Sequence, residues 1–126
     1  MKQIVAFIRQ QRFNRTRTAL ADAGFSSFTA RKVVGRGQSD VDAAASRGAS
    51  AGPADAAVLR GEGSMLLPRR MLTIVVNDDD ADAAIRTIIG VNKTGVAGDG
   101  RIFVLPVHEA SRIRTREHGS EALTER

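Results

Sequence analysis

Thr94-Gly-Val-Ala-Gly-Asp-Gly-Arg101 sets glycines at 95, 98 and 100 beside a cation, and Arg112-Ile-Arg114 follows after a short apolar run. Glycine takes positive φ at little cost and lets backbone N–H groups come close to a ligand. Successive amides in such a turn form a concavity that accepts anions. Arginine adds planar, charge-assisted donors that stay protonated at any working pH. Alternate residues of an extended segment point to one side, so an extended Arg112-x-Arg114 would aim both guanidinium groups the same way. The chemistry these residues can do together is phosphate binding. The turn is not a Walker A loop, because no Gly-Lys-Ser/Thr closes it.

A catalytic reading finds few residues to work with. His108 and His118 have no nucleophile or metal partner near them in the sequence and read as solvated or locally bonded groups. Asn77-Asp-Asp-Asp80 reads as a helix start, with Asn77 as the cap and carboxylates in the first turn, where they complement the macrodipole. A general acid–base pair needs convergent groups in opposed environments, and no pairing in the chain provides one. The expectation is a binding protein with no catalytic residues.

Composition narrows the partners. The chain has no cysteine, which excludes disulfides, thiolate metal sites and a thiol nucleophile. A net charge of +5 raises the question of nucleic acid. The basic residues are scattered, however, and Tyr and Trp are absent. Single-strand binding uses aromatic platforms, and an RNA-recognition sheet needs them on its central strands; Met71–Val76 has none. Nucleic acid is therefore not the expected partner. The apolar run at the N-terminus meets Arg9 too soon for a signal segment or a membrane span, and a soluble, cytoplasmic protein without membrane insertion is the default expectation.

The elements that must position the turn can be read in order. Residues 2–9 form a strand of near-continuous apolar content, suited to burial on both faces. Residues 14–23 switch to helical spacing, with Ala19, Leu20 and Ala23 near one face and Gly24 as the C′ stop. A second strand runs from Phe28 to Val34 and ends at Gly35-Arg-Gly37. From Gln38 to Leu67 the periodicity disappears into Ala, Gly, Ser and Asp, apart from a short helical turn expected at Asp55–Leu59. A loop of that length inside one domain is functional or flexible. Met71–Val76 is a strand, and a helix follows to Val91 with Ala84, Ile85, Ile88 and Ile89 inward and Gly90 as a close-packing site. A strand at 101–105, an extended piece at 112–114 and a polar, frayed tail at 117–126 complete the chain. The whole chain, 1–126, reads as one α/β (α+β) domain of ferredoxin-like βαββαβ order, with a long loop between the second and third strands.

Two separated motifs in this chain resemble one family. Thr94-Gly-Val-Ala-Gly-Asp-Gly-Arg-Ile-Phe-Val104 is similar to the T-G-x-x-G-D-G-K-I-F-V signature of the nitrogen regulatory PII proteins, and Arg112-Ile-Arg-Thr-Arg-Glu117 is similar to their R-I-R-T-G-E. The N-terminal strands and helix to Gly37, and Leu67-Pro-Arg followed by Thr73-Ile-Val-Val76, fit as well, so that only residues 38–66 lie outside the likeness. Ser27-Phe-Thr29, Gly35-Arg-Gly37, Arg70-Met71 and Val91-Asn-Lys-Thr-Gly95 resemble the nitrogenase-regulating branch in its second subtype.

The resemblance implies a trimer, or a mixed oligomer with a sibling subunit, with sites for ATP and ADP between subunits and for 2-oxoglutarate joined through Mg²⁺. By motif position, Gly98, Asp99, Gly100 and Arg101 would hold the phosphates together with Arg112, Ile113 and Arg114. Thr29, Thr73 and Val75 would surround the adenosine, and Gly37 and Gln38 would lie at the loop base, Gln38 being the candidate Mg²⁺ ligand. Arg69 and Gly98 would meet 2-oxoglutarate. Arg101 stands where the family usually has lysine and Thr73 where it has an acidic residue. The departures that matter are three. The loop-base Gln should fall near position 39, where this chain has Gln38 and Ser39, and Arg116 stands in place of a glycine. The loop carries no tyrosine, so it has no residue for uridylylation. The implied function is a regulator whose 38–67 loop, the T-loop of the family, binds nitrogenase component proteins. A regulator of an ammonium channel or of a nitrogen-assimilation enzyme is the alternative within the family. Outside it stand a ferredoxin-like module for ligands or nucleic acid, and a nucleotide hydrolase.

Overall fold

The computed structural model describes residues 1–37 and 66–124. The elements are β1 (Lys2–Arg9), a 3₁₀ turn (Gln10–Arg12), α1 (Phe13–Asp22), β2 (Thr29–Gly35), β3 (Leu67–Val76), α2 (Asp78–Asn92), β4 (Gly100–Pro106) and a second 3₁₀ turn (Gly119–Leu123). The strands make one antiparallel sheet in the order β2-β3-β1-β4. That is the ferredoxin-like arrangement expected from the element order. Gln38 and the turn expected at Asp55–Leu59 lie outside the described residues. Leu67, assigned to the loop by pattern, is instead a buried β3 residue paired with Gly35, so β3 begins four residues before Met71.

The sheet is covered on one face within the chain. On β1 only Ile4, Ala6 and Ile8 are buried, and they pack with Leu72, Ile74 and Val76 of β3 against Leu20 of α1 and Ala81, Ala84 and Ile88 of α2. Val5 and Phe7 point to the opposite face and are half-buried. The expectation of a β1 strand buried on both sides is thus corrected. Its odd-numbered apolar residues belong to a sheet face that the described helices do not cover.

Local chemistry sets the ends of the elements. α1 stops at a Schellman motif: Gly24 takes φ +95, its N–H bonds to the Ala21 carbonyl, and the N–H of Phe25 reaches the Leu20 carbonyl at 2.7 Å. At the start of α2, Asn77 makes no side-chain cap bond. Asp78 instead pairs with the N-terminal ammonium at 3.1 Å, which ties α2 to the start of β1. Thr16 and Asn92 are buried polar groups. Asn92 Nδ2 donates to Thr16 Oγ1 at 3.0 Å and to the Ile88 carbonyl at 2.8 Å, linking α1 to the end of α2. Buried polar side chains need such partners, and helical spacing alone does not reveal them.

Three packing expectations are corrected. Ile89 is 45% exposed, since it sits on the outer side of α2 while Ala81 fills the inner one. A Cβ built on Gly90 would meet nothing within 4 Å, so Gly90 is not a close-packing position. The C-terminal segment is not frayed through 124: Ser111 and His118 form a bridge, and Gly119–Leu123 winds into the 3₁₀ turn.

Gly90→Ala is therefore expected to stabilise the fold by about 0.5–1 kcal/mol, the usual glycine deficit inside a helix. Urea unfolding of the two proteins measures the difference.

Candidate ligand-binding site

The glycine turn joins α2 to β4, and Asp99 organises it. Asp99 accepts from Thr94 Oγ1 at 2.5 Å and from the N–H groups of Thr94 at 2.8 Å and Gly95 at 3.1 Å. Arg9, at the end of β1, places Nη1 2.6 Å from Asp99 Oδ1 and donates through Nη2 to the Ala97 carbonyl at 3.2 Å. The Thr94 hydroxyl and amide, then Arg9, hold the carboxyl well below the usual carboxylate range against a weaker opposing effect of desolvation. Asp99 is thus the internal fastener of the turn, and its charge is committed there, not offered to a phosphate. Arg69 adds a bond from Nη1 to the Gly98 carbonyl at 3.1 Å.

The glycines are needed where they stand. Gly95, Gly98 and Gly100 all have positive φ. A Cβ on Gly100 would collide with the Phe7 carbonyl oxygen, so no other residue fits at the first position of β4. Sequence reasoning found these glycines but missed Arg9 and Thr94 as their supports. The available signals were the Thr-to-Asp spacing across the turn and a lone cation ending an apolar strand.

The expected site residues fall into two groups. Gly37, Arg69, Gly98, Asp99, Gly100 and Arg101 line a cleft of about 430 Å³. Thr29, Thr73, Val75, Arg112 and Arg114 line another of about 600 Å³. Thr29 and Thr73 are direct cross-strand partners. The clefts occupy opposite ends of the sheet, because the β4 start pairs with Ile8 while its end pairs with Lys2. From Arg69 to Val75 along β3 is about 20 Å at strand spacing. One chain therefore does not bring its own glycine turn to its own Arg112 and Arg114.

The extended piece expected at 112–114 is instead a tight turn. Arg116 N–H bonds to the Arg112 carbonyl at 2.8 Å and Arg112 N–H to the Glu117 carbonyl at 2.9 Å. Closing the chain within six residues removes the strand alternation, so the two arginines do not share a direction by pleating. Ile113 projects from this turn, 98% exposed, and lines neither cleft. Arg112 is engaged inside the chain, whereas Arg114 is exposed at the cleft. Arg116 has φ +62, the left-handed conformation that glycine adopts freely. That accounts for glycine in the motif and makes arginine here a strained choice.

Among the described residues no group of three or more His, Cys, Asp or Glu could hold a metal ion, and no helix is long and apolar enough to cross a membrane. Magnesium often binds through substrate phosphates with few protein ligands. The donor-rich clefts fit a metal brought by phosphate better than a protein-made cage.

Comparison with known proteins bears on this arrangement. The profile of the family described as nitrogen regulatory protein P-II matches residues 1–117. The chain is 44% identical to "Nitrogen fixation nifHD region GlnB-like protein 2" of Methanobacterium ivanovii, over 98% of this chain and 99% of the relative. It is 41% identical to the protein of the same name from Methanothermobacter marburgensis, over 98% and 100%. Against the corresponding protein of Methanococcus maripaludis the identity is 38% over 98% and 100%.

Two outcomes follow from the geometry. The native Asp99 carboxyl lies below its unfolded value of about 3.9, so its stabilising contribution is present above that pH and is lost as pH falls through the native value. Urea midpoints of the parent protein should fall across this acid window, and Asp99→Asn should lower the neutral-pH midpoint and flatten the profile. Arg116→Gly should raise stability by about 1 kcal/mol through relief of the left-handed strain, again read from urea unfolding.

Proposed function

Because the chain belongs to the nitrogen regulatory protein P-II family, we propose that it is a non-catalytic signal protein that senses adenine nucleotides and 2-oxoglutarate. The observation that carries this reading is the pair of clefts at opposite ends of a single sheet, which we read as the two halves of one ligand site. The glycine turn with Arg101 supplies amides and charge for phosphates. The Thr29–Thr73 cleft supplies hydroxyls and an apolar wall for a nucleoside, and Arg114 supplies a further cation. A complete site then needs two copies, the turn of one facing the arginine turn of the next. A closed trimer satisfies this, as does a mixed ring with a sibling subunit. The open sheet face, with Val5 and Phe7 half-buried, supports burial against other copies.

Within this reading the chain's own residues divide the work. Arg101 and the amides around Gly98 and Gly100 bind phosphate, and Arg69 meets a 2-oxoglutarate carboxylate from the edge of the same cleft. Gln38 would ligate a Mg²⁺ carried by ATP, which when bound supplies charge between phosphates and the oxo-acid. Residues 38–66 are the output segment, a T-loop. The names of the relatives, which place them in nifHD regions, support nitrogenase component proteins as the target, met in the cytoplasm. 2-Oxoglutarate acts only so far as it binds the released state more tightly than the target-bound one.

Calorimetry with ATP, ADP and 2-oxoglutarate tests the sensor, and absence of nucleotide binding refutes it. Retention of the protein on immobilised nitrogenase components should fall when ATP and 2-oxoglutarate are added together. Equal retention in all conditions removes nitrogenase as the target. Arg114→Ala should weaken nucleotide binding by about 1.5–3 kcal/mol, the range for a hydrogen bond to a charged group, with an unchanged urea midpoint.

A further inference from the structure

Arg112 and Arg114 share a turn but not a situation. The Arg112 side chain is only 18% exposed and pairs with Glu117 Oε2 at 3.3 Å. Its Nη2 also donates to the carbonyl oxygens of Ala122 at 3.2 Å, Glu121 at 3.4 Å and Thr124. One guanidinium thus gathers three carbonyls at the C-terminal 3₁₀ turn. Ala122, Leu123 and Thr124 form a wall of the cleft that also holds Thr29, Thr73 and Arg114.

The C-terminal turn has few other holds. It contains no buried residue, and its N-cap His118 makes no side-chain capping bond, its ring meeting Ser111 Oγ at 2.9 Å instead. Its first residue, Gly119, is pinned by N–H bonds to the Ala110 carbonyl at 2.9 Å and Glu109 Oε1 at 3.0 Å. Beyond that point the holds that the geometry gives among the described residues are the half-buried Ala122 and Leu123, weak local bonds within the turn and the Arg112 guanidinium. Segments with so little buried surface open at low free-energy cost. Guanidinium bonds to phosphate oxygens are shorter and stronger than those to neutral carbonyls. An anion entering the cleft and the C-terminal carbonyls therefore compete for the same donors.

We propose that Gly119–Thr124 is a strap that walls one side of the Thr29–Thr73 cleft when it is empty, with Arg112 as its clasp, and that an anionic nucleotide releases it by drawing the guanidinium onto its phosphate. This rests on the nucleotide reading above and adds a second reporter of occupancy, separate from the 38–66 loop. The two neighbouring arginines then act in sequence. Arg114 contacts the ligand first, and Arg112 positions the strap until the ligand displaces it.

The absence of cysteine from the chain makes the test direct. In full-length Leu123→Cys, the reaction rate of the single thiol with N-ethylmaleimide reports strap opening. Saturating Mg-ATP or ADP, with binding verified by calorimetry on the same sample, should raise that rate about tenfold, as for release of a locally protected segment. Adding Arg112→Ala or Arg112→Lys should give the fast rate without nucleotide. Nucleotide binding with an unchanged or slower thiol reaction overturns the strap and leaves the sensor reading standing. A slow rate in both Arg112 variants also overturns it, and failure of either nucleotide to bind overturns strap and sensor together.

Discussion

The Asp99 carboxylate draws in the hydroxyl and amide of Thr94, the amide of Gly95 and the guanidinium of Arg9, and the shape of the glycine turn depends on keeping those donors around it. Thr94 lies just beyond the end of α2, Arg9 ends β1, and Asp99 immediately precedes β4. One carboxylate therefore locks three elements into register. The close approach of Gly100 to the Phe7 carbonyl fixes where β4 begins, so the turn cannot slide along the sheet. The core beneath serves the same end. Ile8 and Ile88 pack under the turn, and Asn92 secures the last turn of α2 to α1 through Thr16.

What the sequence showed and what it hid divide along a physical line. Element order, the sheet's fold class and the glycine turn were legible, because they depend on local periodicity and on backbone conformations that only glycine adopts cheaply. The one-sided burial of β1 was not, since an apolar strand reads the same whether its second face meets helices or another copy. Ile89 was misassigned because a wide apolar stripe on α2 offers more candidates than the inner face can hold. The turn that replaces the extended piece expected at 112–114 is hidden in the sequence because its glycine position carries arginine, which removes the usual turn signal. The Thr16–Asn92 pair and the fastening by Arg9 are long-range contacts, and no spacing rule within either segment encodes them.

The arginines show how similar residues acquire different roles from their surroundings. Arg9 holds a carboxylate and a carbonyl of the glycine turn. Arg70 lies over the Phe13 ring with its guanidinium carbon 4.8 Å from the centroid, a cation–π contact that helps seat α1 on the helix-facing side of the sheet. Arg112 gathers C-terminal carbonyls, and Arg101 and Arg114 are left exposed at their clefts. Composition alone reports only a basic chain. The surroundings divide its arginines between internal fasteners, such as Arg9, Arg70 and Arg112, and exposed cations, such as Arg101 and Arg114.

The placement of the two clefts at opposite ends of one sheet gives the proposed assembly a direction. Contacts in which each copy offers one end and receives at the other are head-to-tail, and they close into a ring only if the rotation per copy returns to its start. In such a ring each site straddles a boundary, so damage to one copy's arginine end is felt at its neighbour's glycine turn. Two copies defective at different ends can still build one sound site between them when they meet the right way round. In heredity terms, such alleles would complement each other within a single assembled ring.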